Sequence, residues 1–261
     1  MLLRAFKYVK NIVENNNKQF SFYLTALNEH FRYLLFGTKL SDPYKIPIII
    51  NNYNRYEMLC KLINSLVQRG YYNIYILDNK STYPPLLEYY QRCPHKVIKL
   101  DKNYGFQALW LNKSIFQQFK NNYYVYTDAD MEIDPQCPNN FIEFFISILK
   151  KYPLSQKVGF GIRIDDLPNC YANKDKVIEW EKQFWKKELS PGLYKAWIDT
   201  TFALYRPFAY GPTSERLTIR TGSPYLIKHL PWYIDSENLT DEELYYIKHI
   251  SKSTHWSQLN K

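Results

Sequence analysis

Asp128 and Asp130 stand two residues apart, just after the apolar run Tyr123-Tyr124-Val125-Tyr126. Carboxylates at i and i+2 past the end of a strand can share a hard divalent cation while reaching a ribose or a diphosphate. Mg2+ and Mn2+ prefer such oxygen ligands and complete their shell with substrate phosphates. An isolated Asp-x-Asp is equally a solvated turn, here a cap before Pro135. Three further polar segments favour the chemical reading: Asn51-Asn52-Tyr53-Asn54-Arg55, Asp78-Asn79 and Asn103-Tyr104-Gly105. Each follows a run that reads as a strand.

Those runs alternate with helical patterns. Ile46 to Ile50 is a continuous apolar strand, and Arg55 to Arg69 carries Met58, Leu59, Leu62, Ile63, Leu66 and Val67 at helical spacing before Gly70. Strands follow at Asn73 to Leu77, Lys96 to Leu100 and Tyr123 to Tyr126. Helices are predicted from Pro84 to Arg92, Phe106 to Phe119 and Phe141 to Leu149. This alternation predicts an α/β fold with a mostly parallel sheet flanked by helices, and ligands bind such sheets at the carboxyl ends of the strands. Past Lys157 the pattern becomes irregular: strands at Val158 to Ile164 and Thr200 to Tyr205, an aromatic helix from Val177 to Leu189, and a helix from Leu239 to Ser251.

The 261 residues suit one large domain, and 46% hydrophobic residues exclude wholesale disorder. Residues 1–45 form a basic, aromatic prefix, and 46–261 form the domain. The net charge of +9 raises nucleic acid, an anionic membrane or a phosphorylated ligand as partners, but no nucleic-acid motif accompanies it. The 25 Tyr suit wet, half-buried surfaces such as carbohydrate sites, and a biased composition accounts for them equally well. Cys60, Cys93, Cys137 and Cys170 are far apart, so reduced thiols are expected rather than a zinc site or a disulfide framework. No apolar stretch is long enough to span a membrane, and Arg4, Lys7 and Lys10 interrupt any signal-peptide core. Leu2, Leu3, Phe6, Val9 and Val13 instead mark a basic amphipathic helix. It suits an anionic membrane surface or a packed prefix. A glycan on the sequon Asn79-Lys80-Ser81 would block the polar strand ends, so the expected location is cytoplasmic, peripheral at most at the inner membrane face.

The assembly resembles the GT-A glycosyltransferases, in particular bacterial sugar transferases of the family 2 type. The likeness rests on Ile46 to Arg55, Tyr75 to Tyr90 with its Asp78-Asn79-Lys80-Ser81-Thr82-Tyr83-Pro84-Pro85 stretch, Asn103-Tyr104-Gly105, and the Asp128/Asp130 pair. Trp197 to Tyr205 and His229 to Tyr233 extend it, and it spans roughly Ile46 to Trp256. It implies metal-dependent transfer of a sugar from a nucleotide sugar, with UDP the first choice, to a hydroxyl of a glycan or lipid-linked glycan. Residues 46–135 would be the nucleotide-sugar half and 136–261 the acceptor half.

On this likeness Asn51, Tyr53 and Arg55 border the nucleotide, Asp78 and Asn79 meet the base, and Asn103 and Gly105 line the floor. Asp128 touches ribose or sugar, and Asp130 binds Mn2+ or Mg2+ with Asp128. His229 or His255 is a candidate further ligand, His229 the preferred one. Arg55, Arg163 and Arg220 are candidates to neutralise the departing diphosphate, with Arg220 favoured downstream. An inverting transfer needs a carboxylate base, for which Asp199 is preferred over Asp165 and Asp166. Trp180, Trp185, Trp197 and Trp232 are candidates to stack on acceptor sugars or to fill the core. A nucleotidyltransferase would carry a glycine-rich loop where Asn51 to Arg55 has no Gly. A non-catalytic carbohydrate- or nucleotide-binding protein is the other alternative.

Overall fold

The computed structural model describes residues 2–38, 42–211 and 217–250. A long helix, α1 (Leu2–Phe36), opens the chain. The domain then builds β1 (Ile48–Asn52), α2 (Glu57–Val67), β2 (Ile74–Asp78), α3 (Pro84–Arg92) and β3 (Lys96–Lys99). Next come α4 (Ala108–Leu111), α5 (Lys113–Phe119), β4 (Tyr124–Asp128), β5 (Met131–Ile133), α6 (Phe141–Lys151) and β6 (Lys157–Ile162). The remainder is α7 (Lys174–Glu181), β7 (Glu188–Ser190), β8 (Leu193–Lys195), β9 (Ala203–Tyr205), β10 (Thr218–His229) and α8 (Asp241–His249).

One sheet runs in the order β3-β2-β1-β4-β9-β6-β10-β8-β7, with β5 on β10. The pairs β3–β2, β2–β1, β1–β4 and β6–β10 are parallel. The short β9 runs antiparallel between β4 and β6, so both halves of the domain share one sheet. This is the expected α/β architecture, made mixed by β9 and the β7–β8 hairpin. β1 lies inside the sheet between β2 and β4, and its β-branched Ile48, Ile49 and Ile50 are fully buried on both faces. Leu59, Leu62 and Leu66 of α2 are fully buried as well, each contributing about 2 kcal/mol of apolar burial. Gly70 takes φ +87° to end that helical stretch, a conformation that favours glycine.

Several expected elements differ. The helix expected from Phe106 to Phe119 breaks at Asn112, whose backbone N–H and side-chain amide both donate to Ala108 O. The aromatic helix stops at Glu181 and tightens into a 3-10 turn, Lys182–Trp185. The strand expected from Thr200 begins at Ala203, so Asp199 lies in an irregular crossing rather than at a strand start. Among the described cysteines all four are free thiols.

Tyrosines also enter the dry core. Tyr124, Tyr126 and Tyr205 are fully buried in the face that holds Ile49, Leu77 and Trp110. Each hydroxyl has a partner: Tyr124 donates to Ala209 O at 2.8 Å, Tyr126 to Phe106 O at 3.1 Å, and Tyr205 accepts from Lys157 Nζ at 3.0 Å. Satisfied tips let these rings replace phenylalanine without an orphaned polar atom.

Helix α1 docks through Ala26, Glu29 and Tyr33 at the amino ends of the parallel strands. Tyr33 packs edge-on against Tyr123, Arg32 lies over Phe208, and Thr38 N–H donates to Asn121 O. Phe20, Leu24, Leu27, Phe31, Leu34 and Leu35 are exposed on its outer side. Among the described residues no helix is long and apolar enough to cross a membrane.

Candidate active site

Parallel pairing puts the predicted residues side by side. Asn51 stands opposite Asp128, and Asn52 opposite Asp78, at the carboxyl ends of β1, β2 and β4. The Asn51 amide donates to Asp128 Oδ1 at 3.3 Å and to Gly105 O at 3.4 Å. Asn79 donates to Asn51 Oδ1 at 3.0 Å and to Gly105 O at 2.9 Å, and accepts from Tyr104 N–H at 2.8 Å. Asn103 accepts from Gly105 N–H at 2.8 Å, shaping the turn in which Gly105 has φ +63°. These amides form one polar floor from β2 to β4.

The two loops above it are locked together. Asn54, at φ +54°, accepts from Thr82 N–H and Tyr83 N–H, while Ser81 Oγ accepts from Asn54 N–H. Asparagine tolerates this left-handed geometry better than most side chains. Asp78 accepts from the Tyr90 hydroxyl at 3.1 Å and from Ser81 N–H. Tyr53 donates to His249 O at 3.1 Å, which brings α8 over the same loops.

Asp128 and Asp130 flank the turn between β4 and β5. Asp128 N–H donates to Thr200 O at 2.9 Å, and the Thr200 hydroxyl donates to the Asp128 carboxylate. Burial, with Asp130 alongside, pushes the Asp128 carboxyl well above the usual carboxylate range. Pairing of β5 with β10 sets Met131 against His229, and Leu230 N–H donates to Asp130 O at 2.8 Å. His229 Nε2 therefore lies 3.7 Å from Asp130 Oδ2. Burial pushes the His229 imidazole below its usual value, favouring the neutral form that ligates metals.

The donor set fits a divalent cation in a revised form. Asp130 Oδ1 and His229 Nδ1 are buried and have no hydrogen-bond partner. Asp128 differs, because Asn51 and Thr200 engage its two oxygens. Among the described residues no three ligating side chains converge. Asp130 and His229 are thus the better-placed pair, with substrate oxygens left to complete the shell. His255 lies outside the described residues.

Asp199 lies exposed in the crossing before β9, where partial desolvation by the surrounding protein pushes its carboxyl above the usual range and Lys157 partly offsets this. Lys157 is fully buried beneath the crossing, and burial pushes its ammonium down to about 7. Asp165 and Asp166 instead form ion pairs with Arg163.

The arginine assignments need correction. Arg220 is 2% exposed, its Nη1 pairs with Glu181 at 2.6 Å, and its Nε donates to Trp197 O. Arg55 is held by Glu243 and stacked on Tyr246, though it remains within electrostatic reach of Asp130. Arg163 pairs with Asp134 at 2.8 Å. Each guanidinium is already matched to a protein carboxylate, so none stands free for a diphosphate. Of the tryptophans, Trp180 and Trp197 are exposed, whereas Trp232 is buried against His229.

Sequence reasoning missed Lys157, Thr200 and the acid pair of α8. Glu242 accepts from Tyr56 N–H at 2.7 Å and Glu57 N–H at 2.5 Å, capping α2 across the fold. In the sequence Glu242 and Glu243 read only as an acidic first helical turn.

Solved structures with a similar arrangement include the mannosyltransferase PcManGT from Pyrobaculum calidifontis in complex with GDP-Man and Mn2+, 12% identical with a TM-score of 0.47 over 91% of this chain and 70% of that one. Another is HddC from Yersinia pseudotuberculosis complexed with GMP-PN, 10% identical with a TM-score of 0.43 over 71% of this chain and 93% of that one. No curated protein matches the sequence. The family model for glycosyl transferase family 2 matches residues 48–205, more than half of the chain, and the chain belongs to that family.

Proposed function

We propose that this glycosyltransferase moves a sugar from a nucleoside-diphosphate sugar, UDP-linked in the first instance, to a hydroxyl of a glycan or lipid-linked glycan with the help of Mn2+ or Mg2+. The observation that supports the reading is the facing pair His229 Nε2 and Asp130 Oδ2, 3.7 Å apart, beside Asp128 and the amide floor. Asn51, Asn79, Asn103 and Gly105 hold that floor for the ribose and phosphates. Asp78, Tyr53 and the Asn54-locked loops border the base. A bound divalent cation supplies charge neutralisation for the departing diphosphate. The engagement of Arg55, Arg163 and Arg220 with protein carboxylates leaves that role to the cation.

Asp199 serves as the base of an inverting transfer. Its carboxylate takes the proton of the acceptor hydroxyl as that oxygen bonds to the anomeric carbon. The anomeric carbon–oxygen bond to the diphosphate breaks, and its electron pair leaves with the diphosphate. A carboxyl raised by partial desolvation is a stronger base than one at the ordinary value. Exposed Trp197 next to it offers a face for the acceptor sugar.

The outer side of α1, apolar from Phe20 to Leu35 and preceded by Arg4, Lys7, Lys10 and Lys18, suits an anionic membrane surface. Calorimetry with UDP and GDP, with and without Mn2+, tests the donor reading. Metal-dependent heat with one nucleotide is expected; heat with neither, in either condition, sinks it. A nucleotide-sugar panel scored for hydrolysis then identifies the donor.

A further inference from the structure

The crossing that carries Asp199 is irregular backbone, yet four successive carbonyls in it are each held. Trp197 O accepts from Arg220 Nε at 2.8 Å. Ile198 O and Asp199 O both accept from Lys157 Nζ, at 2.7 and 3.1 Å. Thr200 O accepts from Asp128 N–H at 2.9 Å. Lysine has three donors, and the third goes to the Tyr205 hydroxyl at 3.0 Å. Lys157 is fully buried and has no carboxylate within ion-pair distance among the described residues. A buried ammonium is costly, and a structure that needed only packing there would do better with an apolar side chain. The group is therefore retained for what its three donors fix.

We infer that Lys157 is a positioning residue: from the head of β6, inside the sheet, it fixes the crossing 197–200, and so sets Asp199 and Thr200 against Asp128. Arg220 fixes the same crossing one carbonyl earlier, with its own orientation set by Glu181 and by the Phe184 ring 4.2 Å away. The chain of contacts is continuous. Lys157 holds Asp199, Thr200 follows, Thr200 clasps Asp128, and Asn51 joins Asp128 to the amide floor. Acceptor-side and donor-side residues are thereby held in one register. Two consecutive carbonyls turned onto one nitrogen exclude an extended path here, which is why β9 begins only at Ala203.

The catalytic part of this inference rests on the reading of Asp199 as base; the positional part does not. The test uses the full chain labelled with 5-fluorotryptophan, with the Trp197 fluorine signal assigned by Trp197→Phe. Lys157→Met should move or broaden the Trp197 signal and leave that of Trp232, which lies in the other core cluster, in place. It should also lower turnover of the nucleotide sugar found active by about a hundredfold, as a small misplacement does, with the donor KM within about twofold. An unchanged Trp197 signal overturns the positioning. A shifted signal with unchanged turnover overturns the link to catalysis, and equal changes in kcat and KM do so as well. If wild type turns over no nucleotide sugar, the functional reading fails while the fluorine result still decides the positioning. Should Lys157→Met not fold, Tyr205→Phe, which removes one acceptor of the same ammonium, must shift the Trp197 signal in the same direction; no shift overturns the inference.

Discussion

His229 Nε2 faces Asp130 Oδ2 at 3.7 Å, across the antiparallel contact of β10 with β5. The outer atoms of both groups are buried and unmatched. A cation held between the facing Nε2 and Oδ2 would bind the folded state alone. Mn2+ alone should therefore raise the melting temperature of the wild type. Asp130→Asn should abolish both that rise and Mn2+-dependent nucleotide binding while the fold survives. A metal-induced rise that persists in the variant would remove Asp130 from the site.

Asp199→Asn keeps the shape of the side chain and deletes its basicity. Turnover should fall by about 10²–10⁴-fold with the donor KM little changed. In the wild type partial desolvation raises the Asp199 carboxyl, so the acid limb of the kcat profile should lie above the ordinary carboxylate range. Activity falls as pH drops through that raised value, because the protonated acid cannot accept the hydroxyl proton. An acid limb unchanged in Asp199→Asn would show that another group titrates.

Lys157 predicts a stability signature at the other end of the pH scale. Its ammonium titrates at about 7 in the fold, against about 10.4 in an unfolded chain. Between those values the unfolded state binds the extra proton, so this group adds stability as pH rises and adds none below about 7. Wild type should gain on Lys157→Met by about 1–3 kcal/mol between about pH 7 and pH 9.5, measured by urea unfolding. A pH-independent gap would contradict the burial of a titrating amine.

The Arg55–Glu243 pair joins α8 to the β1–α2 loop with both side chains almost wholly buried. Glu243→Gln leaves the guanidinium without its counter-charge and should destabilise the protein by about 3–5 kcal/mol. The double replacement Arg55→Met with Glu243→Leu should recover most of the loss. If the single variant costs under about 1 kcal/mol, α8 does not seal that loop in solution.

Leu27→Lys with Phe31→Lys should abolish sedimentation of the protein with vesicles rich in phosphatidylglycerol, leaving nucleotide binding intact. Wild type should ignore purely phosphatidylcholine vesicles. Equal binding to both vesicle types would rule out the charge component.

The first four strands are legible in the sequence because each is a short apolar run that ends on Asn, Asp or a following Asn-x-Gly, and parallel pairing then aligns those ends automatically. β10 is not legible: Thr218 to His229 mixes Thr, Arg, Lys and Pro, and its burial comes from lying between β6 and β8. The amide floor follows from residue type alone, whereas the state of the arginines does not. Arg55 and Arg220 read as free cations until the fold delivers Glu243 and Glu181 from distant segments. Lys157 heads an apolar strand and reads as a solvated end, because nothing local reveals that the crossing at 197–200 will roof it.

The docking of α1 at the amino ends of the strands has a consequence for traffic through the enzyme. β4 starts at Tyr124, next to the Tyr123 that packs on the helix, and ends at Asp128 in the cleft. Five extended residues separate the two levels by about 16 Å. Were the molecule to rest on α1, as proposed, its cleft would turn outward, away from the surface beneath it. On the proposed membrane reading, the cleft would meet chain ends that stand clear of the bilayer rather than headgroups within it.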